Sequence, residues 1–246
     1  MYLWYRRLLY VATALAFTVV VLGAWVRLTD AGLGCPDWPG CYGRLIVPDA
    51  AHEQASAQQA FPDRPLDVAK ARNEMIHRYV ATTLGLCIVC IAGIALANRR
   101  DHRQPVALPL VLLATVILQG MLGLWTVTLL VKPLIVVAHL LGGLSTLGLA
   151  FWLILECRRQ PARSAPRALR AASGTALLAL IVLVIQIALG GWTSSNYAAL
   201  ACPDLPTCTG QWWPDSVDFG EGFVLWRGLG VNYEGGVLDA PAKGPL

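Results

Sequence analysis

The chain has 246 residues and a net charge of +4, with 14% charged and 56% hydrophobic residues, against about 25% charged in an average soluble domain. The charges gather in a few segments and leave five long windows almost empty of them. That pattern excludes an ordinary water-soluble globule, a disordered chain and a nucleic-acid-binding module.

A bilayer core about 30 Å thick takes roughly 20 apolar residues of helix, and only a helix satisfies its own backbone there without leaving an edge. The windows Leu8–Val26, Met75–Ala97, Val106–Val127, Leu134–Leu155 and Ala171–Trp192 meet that length. The expected fold is therefore an all-α polytopic membrane protein embedded in a lipid bilayer. The first window follows Arg6 and Arg7 as a signal peptide's apolar region would, but it is too long for one and no small-residue cleavage site follows. Arg6, Arg7, Arg99, Arg100, Arg103, Arg158, Arg159, Arg163, Arg167 and Arg170 all fall on one side by parity. The long segments Arg27–Glu74 and Thr193–Leu246, on the other side, carry more acidic than basic residues. The positive-inside rule then predicts a cytoplasmic N-terminus and two outward-facing long loops.

The first window runs into Gly23-Ala-Trp-Val-Arg-Leu-Thr-Asp-Ala-Gly-Leu-Gly-Cys-Pro-Asp-Trp-Pro-Gly-Cys-Tyr-Gly43 and the fifth into Gly190-Gly-Trp-Thr-Ser-Ser-Asn-Tyr-Ala-Ala-Leu-Ala-Cys-Pro-Asp-Leu-Pro-Thr-Cys-Thr-Gly210. Shifted by 167 positions the two align without a gap, with 10 of 21 residues identical. The chain therefore reads as a duplicated four-helix unit, an arrangement that commonly places related sites in the two halves of a membrane protein. Residues 1–160 make a complete N-terminal half, and 161–246 supply the first helix and outer loop of a second. Five of an expected eight spans are present, so the expectation is a C-terminally truncated chain.

Cys35/Cys41 and Cys202/Cys208 share the pattern Cys-Pro-Asp-x-Pro-x-Cys on the outward, oxidising side. A disulfide can staple so short a turn, either as a loop clamp or as a redox-active pair passing electrons. Cys87 and Cys90 have the spacing of thiol oxidoreductases but lie mid-span, where cysteine is a small apolar filler; Cys157 is a lone thiol. His52 and His102 read as solvated surface. His77 and His139 lie inside the second and fourth spans, each within about two turns of the outer interface. Two imidazoles at matched depth in a helical bundle suit a haem iron. Gly142, Gly143 and Gly85 would let a flat macrocycle or a second helix approach. Glu74 precedes His77 by three residues and shares its helix face, either as a functional ionisable group or as a helix-start charge complementing the macrodipole. Arg78 could meet a haem propionate or snorkel to the headgroups. Trp25, Trp38, Trp125, Trp192, Trp212 and Trp213 fit an aromatic belt.

The first Cys-Pro-Asp loop, Asn73-Glu-Met-Ile-His-Arg78, Ala138-His-Leu-Leu-Gly-Gly143 and the second loop through Cys208-Thr-Gly-Gln-Trp-Trp-Pro214, in that order, resemble the haem A synthase family of respiratory chains. The resemblance implies eight helices in two pseudo-symmetric halves, in a bacterial plasma membrane. It implies oxidation of the C8 methyl group of haem O to the formyl group of haem A, by two hydroxylations and loss of water. It places haem O in the N-terminal half, with His77 and His139 on its iron, Arg78 in its pocket and Glu74 beside the reacting edge. A haem B cofactor would sit in the C-terminal half, whose ligand-bearing helices the chain lacks. Haem O synthase, an electron acceptor and the cytochrome oxidase assembly machinery are the implied partners, and half-sized relatives assemble as homo-oligomers. The chain is accordingly expected to bind haem through its complete half and to lack the electron-transfer half. Two readings of other classes stand beside this one: a membrane thiol–disulfide oxidoreductase, which needs the cysteine pairs, and a non-catalytic haem carrier or oxidase-assembly factor, which needs the histidines but not Glu74.

Overall fold

The computed structural model describes residues 2–101, 104–158, 167–204, 206–208, 210–212 and 218–238, with the backbone alone for 167–171. His102, Arg103, Arg159, Arg163, Trp213 and the C-terminal tail lie outside the described residues. Seven helices run through the rest: α1 (Tyr2–Leu28), α2 (Ala51–Ala60), α3 (Val68–Ala97), α4 (Ala107–Thr128), α5 (Pro133–Arg158), α6 (Arg167–Ser195) and the single turn α7 (Phe219–Gly222). Five of them, α1, α3, α4, α5 and α6, are long and apolar enough to cross a membrane, one for each apolar window, and the protein is polytopic. Among the described residues there is no β-strand.

α3 outruns its apolar window because capping, not hydropathy, sets where it begins. α3 starts at Val68, well before Met75, since the Asp67 carboxylate accepts from the backbone N–H groups of Ala69 and Lys70. α2 is too short and polar to register as a span. Its start is fastened by Glu53, whose carboxylate accepts from the N–H groups of Asp49 and Ala50 and pairs with Arg44.

The chain forms two compact units, Met1–Val127 with Gly142–Ala162, and Thr128–Leu141 with Arg163–Leu246. In the first, α1 packs closely on α3. Tyr5, Leu9, Ala12 and Ala16 meet Leu84, Ile88, Ile91 and Ala95, and Leu112, Ala150 and Leu153 complete the core. Small residues at 12, 16 and 95 let the two backbones approach, as in membrane helix pairs generally. Cys87 packs against this core, but Cys90 is exposed, which corrects the expectation of a buried filler. The buried stripe of α3 follows 84, 88, 91 and 95, and Cys90 falls just off it. Cys157 is partly buried, and its carbonyl accepts from the Tyr2 hydroxyl.

In the second unit Lys132 is 1% exposed. Its ammonium sits 3.2 Å from the centroid of the Trp226 ring and donates to the Gly228 carbonyl at 2.6 Å. Trp192 does not belong to an exposed belt: it is buried, its indole N–H donates to the Gly222 carbonyl, and its ring stacks on Phe223. Trp25, Trp38 and Trp212 are exposed, as a belt requires.

The duplicated motif folds the same way in each unit. Thr29 donates to Trp25 and Ala31 to Val26; 167 positions on, Asn196 donates to Trp192 and Ala198 to Thr193. Asp30 and Tyr197 both take positive φ, 51° and 55°. Cys41 and Arg44 exchange a pair of backbone hydrogen bonds, and so do Cys208 and Gln211. The aspartate of each loop accepts from the glycine that follows its second cysteine, Asp37 from Gly43 and Asp204 from Gly210.

Candidate functional site

The first disulfide loop is built around Asp37. Its carboxylate accepts from the Tyr42 N–H at 2.6 Å and the Gly43 N–H at 2.8 Å, folding the chain back so that Cys35 and Cys41 join. Gly43 turns the corner with φ 74°, a conformation that glycine takes without strain. Both sulfurs are wholly buried. The Tyr42 hydroxyl donates to the carbonyls of Arg64 and Pro65, 3.3 and 3.2 Å away. Burial raises the Tyr42 pKa above the ordinary phenol value, so it remains a donor.

This loop lies directly on α3. At Gly34 an added Cβ would sit 2.6 Å from the Lys70 carbonyl carbon and 2.8 Å from the Ala71 nitrogen, so only glycine fits the approach. One residue on, the Cys35 N–H donates to Glu74 Oε2 at 2.8 Å. The other carboxylate oxygen of Glu74 pairs with Arg78 one turn along the helix. Arg78 Nη1 meanwhile donates to the carbonyls of Asp37, at 2.9 Å, and Gly40. Lys70 pairs with Asp30 at 3.2 Å, and the Asn73 amide donates to the Thr29 hydroxyl.

Two expectations change here. Glu74 is not a helix-start charge, because α3 begins six residues before it and Asp67 already caps that end. Nor does Arg78 snorkel outward: its guanidinium turns into the loop, where backbone carbonyls offer a stronger hold than solvent.

His77 shares the turn between Glu74 and Arg78 but faces α1. Its ring lies against Gly23, where a Cβ would come 3.2 Å from Cε1. The ring hydrogen-bonds the backbone at Val19, while Nδ1 is buried with no hydrogen-bond partner. Buried imidazole nitrogens are normally satisfied, so this one marks a place where a ligand can bind. His139 lies in the first turns of α5, in the second unit, and is half-buried. The structure brings together Cys35, Cys41, Glu74, Arg78 and His77; Cys202 and Cys208 form the second disulfide, in the second unit.

Of the glycines expected to admit a macrocycle or a second helix, Gly85 and Gly142 receive side chains of a second helix, α4. Gly85 faces Val116 at ordinary contact distance, and Gly142 is filled by the side-chain amide of Gln119. Sequence reasoning passed over Gln119, although a lone amide inside the window Val106–Val127 was the available signal. His52 is exposed, as expected.

A family model described as cytochrome oxidase assembly protein matches residues 6–231. The heme A synthase of Shewanella oneidensis is 45% identical over 240 residues, covering 98% of this chain and 71% of its own length. That of Hyphomonas neptunium is 30% identical over 86% of this chain and 65% of its own. That of Shouchella clausii is 28% identical, over 80% and 61%. The chain thus spans about two thirds of the length of these relatives. No solved structure matches.

Proposed function

Because the chain belongs to the cytochrome oxidase assembly protein family, we propose that residues 1–160 are the haem O half of a haem A synthase, which oxidises the C8 methyl group of haem O to a formyl group. The observation that carries this is the orphaned, buried Nδ1 of His77 beside a buried Glu74–Arg78 pair. An imidazole nitrogen without a proton partner suits an iron, and the residues present fit a haem.

In this reading His77 would hold the iron of haem O, which brings the methyl group to be oxidised, and His139 is assigned to the same iron by the family resemblance alone. Arg78 has five N–H donors. Nη1 is engaged with the loop and Nη2 with Glu74, which leaves Nε and a second Nη2 hydrogen for an anionic propionate. The Cys35 N–H and Arg78 fix the Glu74 carboxylate one turn from His77. Glu74 there offers negative charge against positive charge developing at the reacting edge, and a place to hold a proton leaving it. The buried disulfide sets the loop that supplies the Cys35 N–H, so its role is to position. A thiol–disulfide oxidoreductase needs a partly exposed reactive cysteine, and both sulfurs of this pair are enclosed.

The reading also carries a cytoplasmic N-terminus and outward loops, haem O synthase as supplier of substrate, an electron acceptor, and a homo-oligomer. Haem B belongs by resemblance to the C-terminal half. Shifted by 167, Glu74 and His77 fall on Pro241 and Gly244, and no residue of this chain is assigned to haem B.

The test is co-expression with haem O synthase, followed by purification and chromatographic separation of the extracted haems. Haem O should co-purify with the chain and be lost on His77→Ala. Appearance of haem A, lost on Glu74→Ala, would show that this half also catalyses and would exclude a simple carrier. A chain that retains no haem O refutes the proposal.

A further inference from the structure

Gln119 stands on the buried face of α4, in line with Leu112, Val116 and Leu122. Its amide nitrogen is buried without a hydrogen-bond partner. The space it enters is made by Gly142 on α5: a Cβ there would collide with the Gln119 nitrogen and lie 2.9 Å from its Cδ. Gly143 adjoins it, with a would-be Cβ 3.9 Å from Oε1. A polar group in the middle of a membrane span is costly and marks a functional position by default.

Its level relative to His77 follows from the packing. Val116 faces Gly85, and α3 and α4, joined by a short connection, run in opposite directions. Gln119, three residues further along α4, is therefore level with about residue 82 of α3, roughly 7 Å to the membrane-interior side of His77. Glu74 and the disulfide loop lie on the opposite side. Along the bundle axis, charged groups thus lie on the loop side of the level of His77, and the neutral amide of Gln119 lies on its membrane-interior side.

Resting on the haem O reading above, we propose that Gln119 is a specificity-determining residue that hydrogen-bonds the hydroxyl of the substrate's hydroxyethylfarnesyl chain. A haem carries its propionates on one edge and its apolar substituents on the other. On that other edge haem O bears the hydroxylated chain where haem B bears a vinyl group, and the hydroxyl is the polar mark that separates them. A site that leaves a buried amide unsatisfied with one ligand and satisfies it with another discriminates between the two.

The test uses the whole chain in lipid nanodiscs, titrated separately with haem O and haem B and read from the Soret band. Gln119→Met, close in shape, should reduce the preference for haem O about tenfold, the worth of one hydrogen bond, and leave haem B affinity unchanged. Gly142→Ala, which pushes the amide out of its notch, should do the same. Unliganded Gln119→Met should melt no lower than wild type, because the amide it removes has no partner; a structural role would lower it. An unchanged haem O to haem B ratio in both variants, or equal loss for both haems, overturns the inference alone. Failure of the wild type to bind either haem overturns the haem O reading beneath it.

Discussion

Replacing Arg78 by Met tests whether α3 holds the first disulfide loop in place. The Glu74 and Arg78 side chains are 6% and 12% exposed, so the solvent screening that makes surface pairs weak does not apply. Removing one partner of a buried pair costs about 3–5 kcal/mol. The lower figure is the safer one, since Glu74 keeps its bond from the Cys35 N–H. At about 1.4 kcal/mol per factor of ten, about 3 kcal/mol raises the opening equilibrium of the loop roughly 100-fold. The assay is the rate at which dithiothreitol reduces Cys35–Cys41, trapped by alkylation and read by mass spectrometry. Cys202–Cys208 in the other unit serves as internal reference. The rate ratio should rise about 100-fold in Arg78→Met. It should rise less in Arg78→Lys, which keeps the charge but not the fork of donors. Glu74→Gln/Arg78→Met should recover part of the loss, because no uncompensated charge is left buried. A change below about threefold, the range of ordinary surface substitutions, or an equal change at both disulfides, would refute the reasoning.

Five further outcomes rest on the same contacts. Gly34→Ala should destabilise by about 1–3 kcal/mol in thermal unfolding, because its Cβ meets the backbone of Lys70 and Ala71. Gly93→Ala, in open space within α3, should be neutral or stabilising by up to ~1 kcal/mol. Asp37→Ala should cost about 1–3 kcal/mol and speed amide exchange at Tyr42 and Gly43, with Asp204→Ala doing the same at Gly210. Glu53 has a pKa below its ordinary 4.5, chiefly through the N–H groups of Asp49 and Ala50 and then Arg44. Its contribution is complete above that value and is lost as pH falls through the lowered one. Amide exchange at 49–50 should accelerate only on the acid side and be insensitive to pH in Glu53→Gln. Lys132→Met removes the hold on Trp226 and Gly228 and should make residues 223–238 a faster target in limited proteolysis.

The spans were legible because each is a long apolar run, and the second disulfide because its loop repeats the first. The repeat went deeper than identity. Asp30 and Tyr197 share neither charge nor size, yet both adopt the same left-handed backbone, because the hydrogen bonds around them are the same. What hydropathy does not carry is azimuth. It places Arg78 near an interface but cannot say that the carbonyls of Asp37, Pro39 and Gly40 wait beside it. It counts Trp192 toward a belt although the aromatic partner that buries it lies 31 residues further on, and it dilutes Gln119 to one polar letter in an apolar window. Each of these depends on a neighbour distant in sequence, and only the packed helices supply it.

The site is organised by how each polar group is satisfied. On the loop side of His77, every charge is answered within the chain: Glu74 by Cys35 and Arg78, and Arg78 by the backbone of a loop that the disulfide and Asp37 keep in shape. That side is prepared before any ligand arrives, and breaking it should first show as loop opening. At His77 Nδ1 and Gln119 Nε2 the chain leaves polar atoms buried and unanswered. An unanswered buried group is a standing cost of about 1–3 kcal/mol, recovered only when something binds. The two kinds of position therefore separate by experiment. Substituting the satisfied residues should lower the stability of the unliganded protein. Gln119→Met should leave it unchanged or raise it while weakening the ligand.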